Sequence, residues 1–74
     1  MNGDILVTII LLSYNAERYI IEALQSIKMQ NHPKIELIII DDCSQDNTVN
    51  LEKEWLKDNG NIFTNTKLIA QSKN

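Results

Sequence analysis

The chain has one cysteine, Cys43, two glycines, Gly3 and Gly60, and no cluster of basic residues. A single thiol excludes an internal disulfide framework and a cysteine-based zinc cluster, and it fits a reducing compartment. Neither glycine opens a helix after a strand, so phosphate-cradling loops of the Walker or dinucleotide type are missing. The seven cations, Arg18, Lys28, Lys34, Lys53, Lys57, Lys67 and Lys73, are dispersed, and ten acidic residues leave a net charge of −3. That balance gives no electrostatic grip on nucleic acid or on an anionic membrane surface. No apolar stretch reaches the ~18 residues of a spanning helix. The longest run starts after Asp4 and is broken by Thr8 and Ser13. What precedes it holds an Asp and no Lys or Arg, unlike a signal peptide. A soluble, cytoplasmic chain is the expectation.

What is present suits a small folded unit. Hydrophobic residues make up 43% of the 74, too many for disorder. The length is about half of the ~150-residue prior for one domain. Residues 1–74 therefore read as a single unit, expected to be a fragment of a longer chain. A unit of this size buries only about 60% of its unfolded surface, which makes its stability thin.

Residues 5–12, ILVTIILL, are apolar and β-branched without alternation, as in a strand covered on both faces of a parallel sheet. Ser13, Tyr14 and Asn15 end the run with turn chemistry. Asn15 is placed to cap a helix over 16–29, with Glu17 complementing its dipole. Ile20, Ala23, Leu24 and Ile27 give that helix one apolar face. Pro33 stops it, and residues 35–40 form a second buried strand that ends abruptly at Asp41 and Asp42. Asp46 or Ser44 caps a second helix over about 47–58, whose apolar members are Val49, Leu51, Trp55 and Leu56. Asn59 and Gly60 stop it. Residues 62–63 and 67–70 offer a third strand.

The order β-α-β-α-β predicts an α/β fold, half of a doubly wound, three-layer Rossmann-like domain with a parallel sheet. Its bare sheet edge is open to a further strand or to self-association. In such sheets ligands settle beyond the carboxyl ends of the strands. Two features sit there: Ser13-Tyr14-Asn15 after the first strand and Asp41-Asp42 after the second. A carboxylate at that rim accepts hydrogen bonds from a nucleobase N–H or a ribose hydroxyl, and a tyrosine ring beside it stacks on a base. No cations accompany them to hold a diphosphate.

The stretch LVTIILLSYNAERYIIEALQSIKMQ followed by IELIIIDDCSQDNT resembles the start of family 2 glycosyltransferases of the GT-A fold. Tyr19, Ile20, Ala23, Leu24, Ser26, Ile27 and Gln30 fit the helix of that pattern, and 36–48 fits its Asp-Asp-x-Ser-x-Asp-x-Thr block. The likeness is good over about 5–50 and weaker beyond. It implies the N-terminal nucleotide-binding half of an inverting enzyme that transfers sugar from a UDP-sugar, or another nucleotide-sugar, to an acceptor hydroxyl. By that resemblance Asp42 reads the uracil and ribose side of the donor and Tyr14 lies against the base. Leu12 contributes mainly through the backbone, Ser13 belongs to the same nucleotide-binding set, and Asp41 takes a structural or accessory role. Leu12 stands where proline or threonine is commoner.

The family also uses an Asp-x-Asp motif that holds Mg²⁺ or Mn²⁺ on the diphosphate, and a later Asp as general base. These 74 residues contain no Asp-x-Asp. No catalytic or metal-ligating residue is therefore expected here, and the chain alone should lack turnover. Asp46 and Thr48 read as helix caps rather than ligands, and Cys43 lies beside carboxylates that discourage thiolate chemistry. His32 reads as a surface residue and Trp55 as a helix anchor. The alternatives are a non-catalytic α/β association module and a phosphoacceptor domain. Acidic pairs of the latter type follow the first strand rather than the second.

Overall fold

The computed structural model describes residues 5–72. The order is β1 (Val7–Ser13), α1 (Ile20–Lys28), β2 (Ile35–Asp41), α2 (Thr48–Asn59), a 3-10 turn (Gly60–Ile62) and β3 (Asn65–Ala70). The strands are parallel and lie in the order β1-β2-β3. Each crossover steps the same way across the sheet, so crossovers of one hand set both helices on one face. The expected β-α-β-α-β unit is present. Of the three layers expected, the described residues supply two, because that stepping never reverses.

Side chains on the strands alternate between the two faces. On the covered face Leu37 and Ile39 of β2 meet Ile20, Leu24 and Ile27 of α1 and Trp55 of α2. Burial of an aliphatic side chain of this kind is worth about 1.5–3 kcal/mol. Phe63, just past the 3-10 turn, packs on Trp55 with ring centroids 6.0 Å apart and planes tilted by 44°.

The other face carries three cross-strand rows set by the register. Thr8, Glu36 and Asn65 form a polar row, in which the Thr8 hydroxyl and the Asn65 amide donate to the Glu36 carboxylate at 2.9 and 2.8 Å. Those bonds, Asn65 first, hold the Glu36 carboxyl below its usual range. Ile10, Ile38 and Lys67 follow, then Leu12, Ile40 and Ile69. Leu12 is 73% exposed and Ile10 59%, so this side of the sheet is open among the described residues.

The first helix starts at Ile20 rather than Ala16, and its N-cap is Tyr19. Asn15 does not cap it. Its backbone is left-handed, with φ 45°, a conformation that asparagine tolerates better than most residues. Its side chain reaches the following βα loop instead, accepting the Gln45 N–H at 2.8 Å. Glu17 likewise spends its carboxylate on the Asn47 N–H at the start of α2 rather than on α1.

Candidate functional site

The carboxyl ends of all three strands converge on one rim. Asp42 N–H donates to the Ser13 carbonyl and Gln71 N–H to the Asp41 carbonyl, both at 2.9 Å, which extends the strand pairing past the end of the sheet. Beyond this, the first and second βα loops are sewn together by two relays of the same form. The Asn15 N–H donates to the Ser44 hydroxyl at 2.7 Å, and that hydroxyl donates to the Asp41 carboxylate. The Ala16 N–H donates to the Thr48 hydroxyl at 2.7 Å, and that hydroxyl donates to Asp46. Each relay ends on a carboxylate that strengthens the bonds feeding it.

The pleat sorts the acidic pair. Asp41 shares the parity of Leu37 and Ile39, so it points under the helices and is 1% exposed. It accepts the Ser13 hydroxyl at 3.0 Å and the Ser44 N–H at 2.7 Å. Asp42 shares the parity of Ile38 and Ile40 and is exposed on the open side. A sharp turn follows it, where Cys43 takes a left-handed backbone with φ 62°.

On that open side a cleft of about 460 Å³ is lined by Leu12, Ser13, Tyr14, Ile40, Asp42 and Gln71. Leu12 and Ile40 make an apolar floor. Tyr14 supplies an aromatic ring, Asp42 a carboxylate, and Gln71 a carboxamide that both donates and accepts. A flat heterocycle with polar edges suits such a lining. Of the residues singled out from sequence, Leu12, Ser13, Tyr14 and Asp42 meet here. Asp41 does not. Its carboxylate is consumed by Ser13 and Ser44 beneath the rim, so its part in ligand contact is corrected to that of an internal anchor.

Sequence reasoning missed Gln71, Ile40 and Glu52, and read Ser44 only as a helix cap. Gln71 was legible in principle, since it directly follows a third parallel strand whose end must reach the same rim. Asp46 does serve α2 as expected, accepting the Thr48 N–H at 2.9 Å from just before the N-cap Asn47. Ser44 does not cap, because Asp41 takes its hydroxyl. Burial works to raise the Asp46 carboxyl, but the Thr48 hydroxyl and N–H, with the Glu17 N–H, hold it below its usual range. Glu52 is wholly buried on α2, and burial pushes its carboxyl up, reinforced by the charges of Asp41 and Asp46.

A divalent cation has no ligand set here. Among the described residues no group of three or more His, Cys, Asp or Glu side chains is arranged to hold one. Asp41 and Asp46 are engaged by hydrogen bonds, and Asp42 is the one carboxylate lining the cleft. No helix among the described residues is long and apolar enough to cross a membrane.

The profile of Glycosyl transferase family 2 matches residues 8–74. Among curated relatives, the Bacillus subtilis glycosyltransferase TuaG, named for teichuronic acid biosynthesis, is 44% identical over 56 residues. That alignment covers 76% of this chain and 22% of the relative. The Staphylococcus aureus poly(ribitol-phosphate) beta-N-acetylglucosaminyltransferase TarS is 38% identical over 50 residues, 65% of this chain and 9% of its own length. The teichoic acid poly(glycerol phosphate) polymerase of Staphylococcus epidermidis is 47% identical over 51 residues, 69% of this chain and 7% of its own length. The chain thus spans less than a quarter of these relatives. No solved structure gives a significant match. With two spaced sequence blocks, the parallel β-α-β-α-β sheet and a profile match over most of its length, the chain belongs to glycosyl transferase family 2, of whose GT-A domain it forms the N-terminal Rossmann-like part.

Proposed function

We propose that the cleft binds the nucleoside of a nucleotide-sugar donor, uridine in the first instance, for an inverting glycosyl transfer to an acceptor hydroxyl. The observation that carries this reading is the meeting of Tyr14 and Asp42, from separate βα loops, in one apolar-floored cleft. Leu12 and Ile40 take one face of the base and the Tyr14 ring packs against it. Asp42 accepts from the base imide N–H or a ribose hydroxyl, and Gln71 adds a second donor and acceptor at the edge. These residues bind and orient. A Mg²⁺ or Mn²⁺ ion, which in the family offsets the diphosphate charge, and the acceptor's general base fall to residues outside this set. Two relatives are named for teichuronic or teichoic acid chemistry and a third for poly(ribitol-phosphate), so glycopolymers of that kind are the first acceptors to assay with a whole transferase.

Titration of uridine and UDP into the ¹⁵N-labelled chain tests the reading. Binding should shift the amides of Leu12, Tyr14, Asp42 and Gln71. Asp42→Asn should weaken uridine about tenfold, the scale of one charge-assisted hydrogen bond. Saturating ligand without shifts at these positions overturns the proposal. Dimerisation in its place would favour a non-catalytic association module acting through the open sheet.

A further inference from the structure

Thr48, Glu52 and Trp55 are the buried residues of α2, and their spacing makes them the face turned to the sheet. Glu52 is 0% exposed. Neither of its carboxyl oxygens meets a hydrogen-bond donor among the described residues. The nucleoside reading makes no use of it. A leucine would fill such a position without the cost of desolvating a charge, so the carboxyl calls for an account.

Ser13 supplies one. It lines the cleft on one side and stands next to Glu52 on the other. Its hydroxyl proton is spent on Asp41, which leaves its oxygen lone pairs as acceptors. An ionised carboxylate cannot use them, because acceptor faces acceptor. A carboxylic acid can. Resting on the reading of the cleft as a nucleoside site, we propose that Glu52 is a positioning residue whose acid O–H donates to Ser13 from beneath the cleft. The bonds then run from Glu52 to Ser13 to Asp41, with Ser44 feeding Asp41 from the other side. That chain fixes the ends of β1 and β2, which carry Leu12, Tyr14 and Asp42.

The surroundings keep the proton on Glu52. Burial favours the neutral form most, and the negative charges of Asp41 on β2 and Asp46 before α2 add to it, while Ser13 on β1 works the other way. Helix α1 turns only Ile20, Leu24 and Ile27 toward the core, so it offers no compensating cation. Raising the pH through the Glu52 titration places a third negative charge beside Asp41 and Asp46. The bond to Ser13 is lost, and uridine affinity falls.

Two measurements decide this. In the ligand-free chain, the Glu52 carboxyl carbon and the amides of Ser13, Asp42 and Ser44 should titrate together, with a midpoint above the ordinary glutamate range. The amide titration should vanish in Glu52→Gln. Uridine, which carries no phosphate to titrate, should bind the natural chain more weakly as pH rises and bind Glu52→Gln evenly, since the amide N–H donates in the same direction. Glu52→Leu, checked to be folded, should bind about tenfold more weakly than Glu52→Gln at every pH. An ordinary glutamate midpoint, or natural uridine affinity in Glu52→Leu, overturns the role. If uridine binds none of these proteins, the nucleoside reading falls by itself, and the ligand-free titration still decides the role of Glu52.

Discussion

Helices α1 and α2 lie on the same face of one sheet and turn opposite chemistry toward it. The sheet-facing residues of α1 are Ile20, Leu24 and Ile27, all aliphatic. Those of α2 are Thr48, Glu52 and Trp55, polar at the end nearest the cleft and aromatic at the far end. Helix α1 is held by burial, with one hydrogen bond from Lys28 to the Asn59 side chain of α2 at 2.8 Å, and carries no cleft residue. Helix α2 begins where the two βα loops are sewn together, and its first turn is part of the stitching. Within one small core, stability and site construction are divided between two neighbouring helices.

The largest effect should come from the aliphatic side. Leu24→Ala removes a fully buried side chain and should cost about 3 kcal/mol by chemical denaturation, with uridine affinity of the folded fraction unchanged. A loss of affinity as large as the loss of stability would break the division of labour. Next comes Thr48→Val, which keeps the volume and deletes the hydroxyl linking Ala16 to Asp46. It should cost about 1–2 kcal/mol, and amide exchange should speed up at Ala16 and Glu17 before it does in α1. Acid should act on the same stitching. The Asp46 carboxyl is lowered in the folded chain, so its contribution is present above the unfolded value and is lost as pH falls through the folded one. Replacing Asp46 with Asn should flatten that part of the acid-unfolding curve. The smallest effect is Cys43→Gly. A left-handed backbone strains a cysteine and suits glycine, so stability should rise by roughly 0.5–1 kcal/mol; a loss would mean the thiol packs usefully.

Much of this was legible in the sequence, and the misses share a cause. The unalternating runs before Ser13 and Asp41 marked parallel strands, and the spacing of Ile20, Leu24 and Ile27 marked α1. The face of α2 was obscured because Thr48 and Glu52 occupy core positions that an apolar period cannot reveal. Asn15 and Glu17 carry helix-start chemistry, yet both serve the neighbouring loop, a partner distant in the chain. Tyr14 and Asp42 could be placed on one rim by topology. That Asp41 turns away follows from strand parity, which the Asp-Asp pair read as a motif conceals.

That parity has a consequence for change in this chain. Adding or removing one residue within β2 would leave the motif spelled as before while rotating its two acids into each other's places. Asp42 would then be driven under the helices without Ser13 and Ser44 to receive it, and Asp41 would be carried into the solvent. Length in this strand is thus tolerated only in steps of two, and variants with an odd indel there should be recovered as insoluble protein, however intact their signature looks.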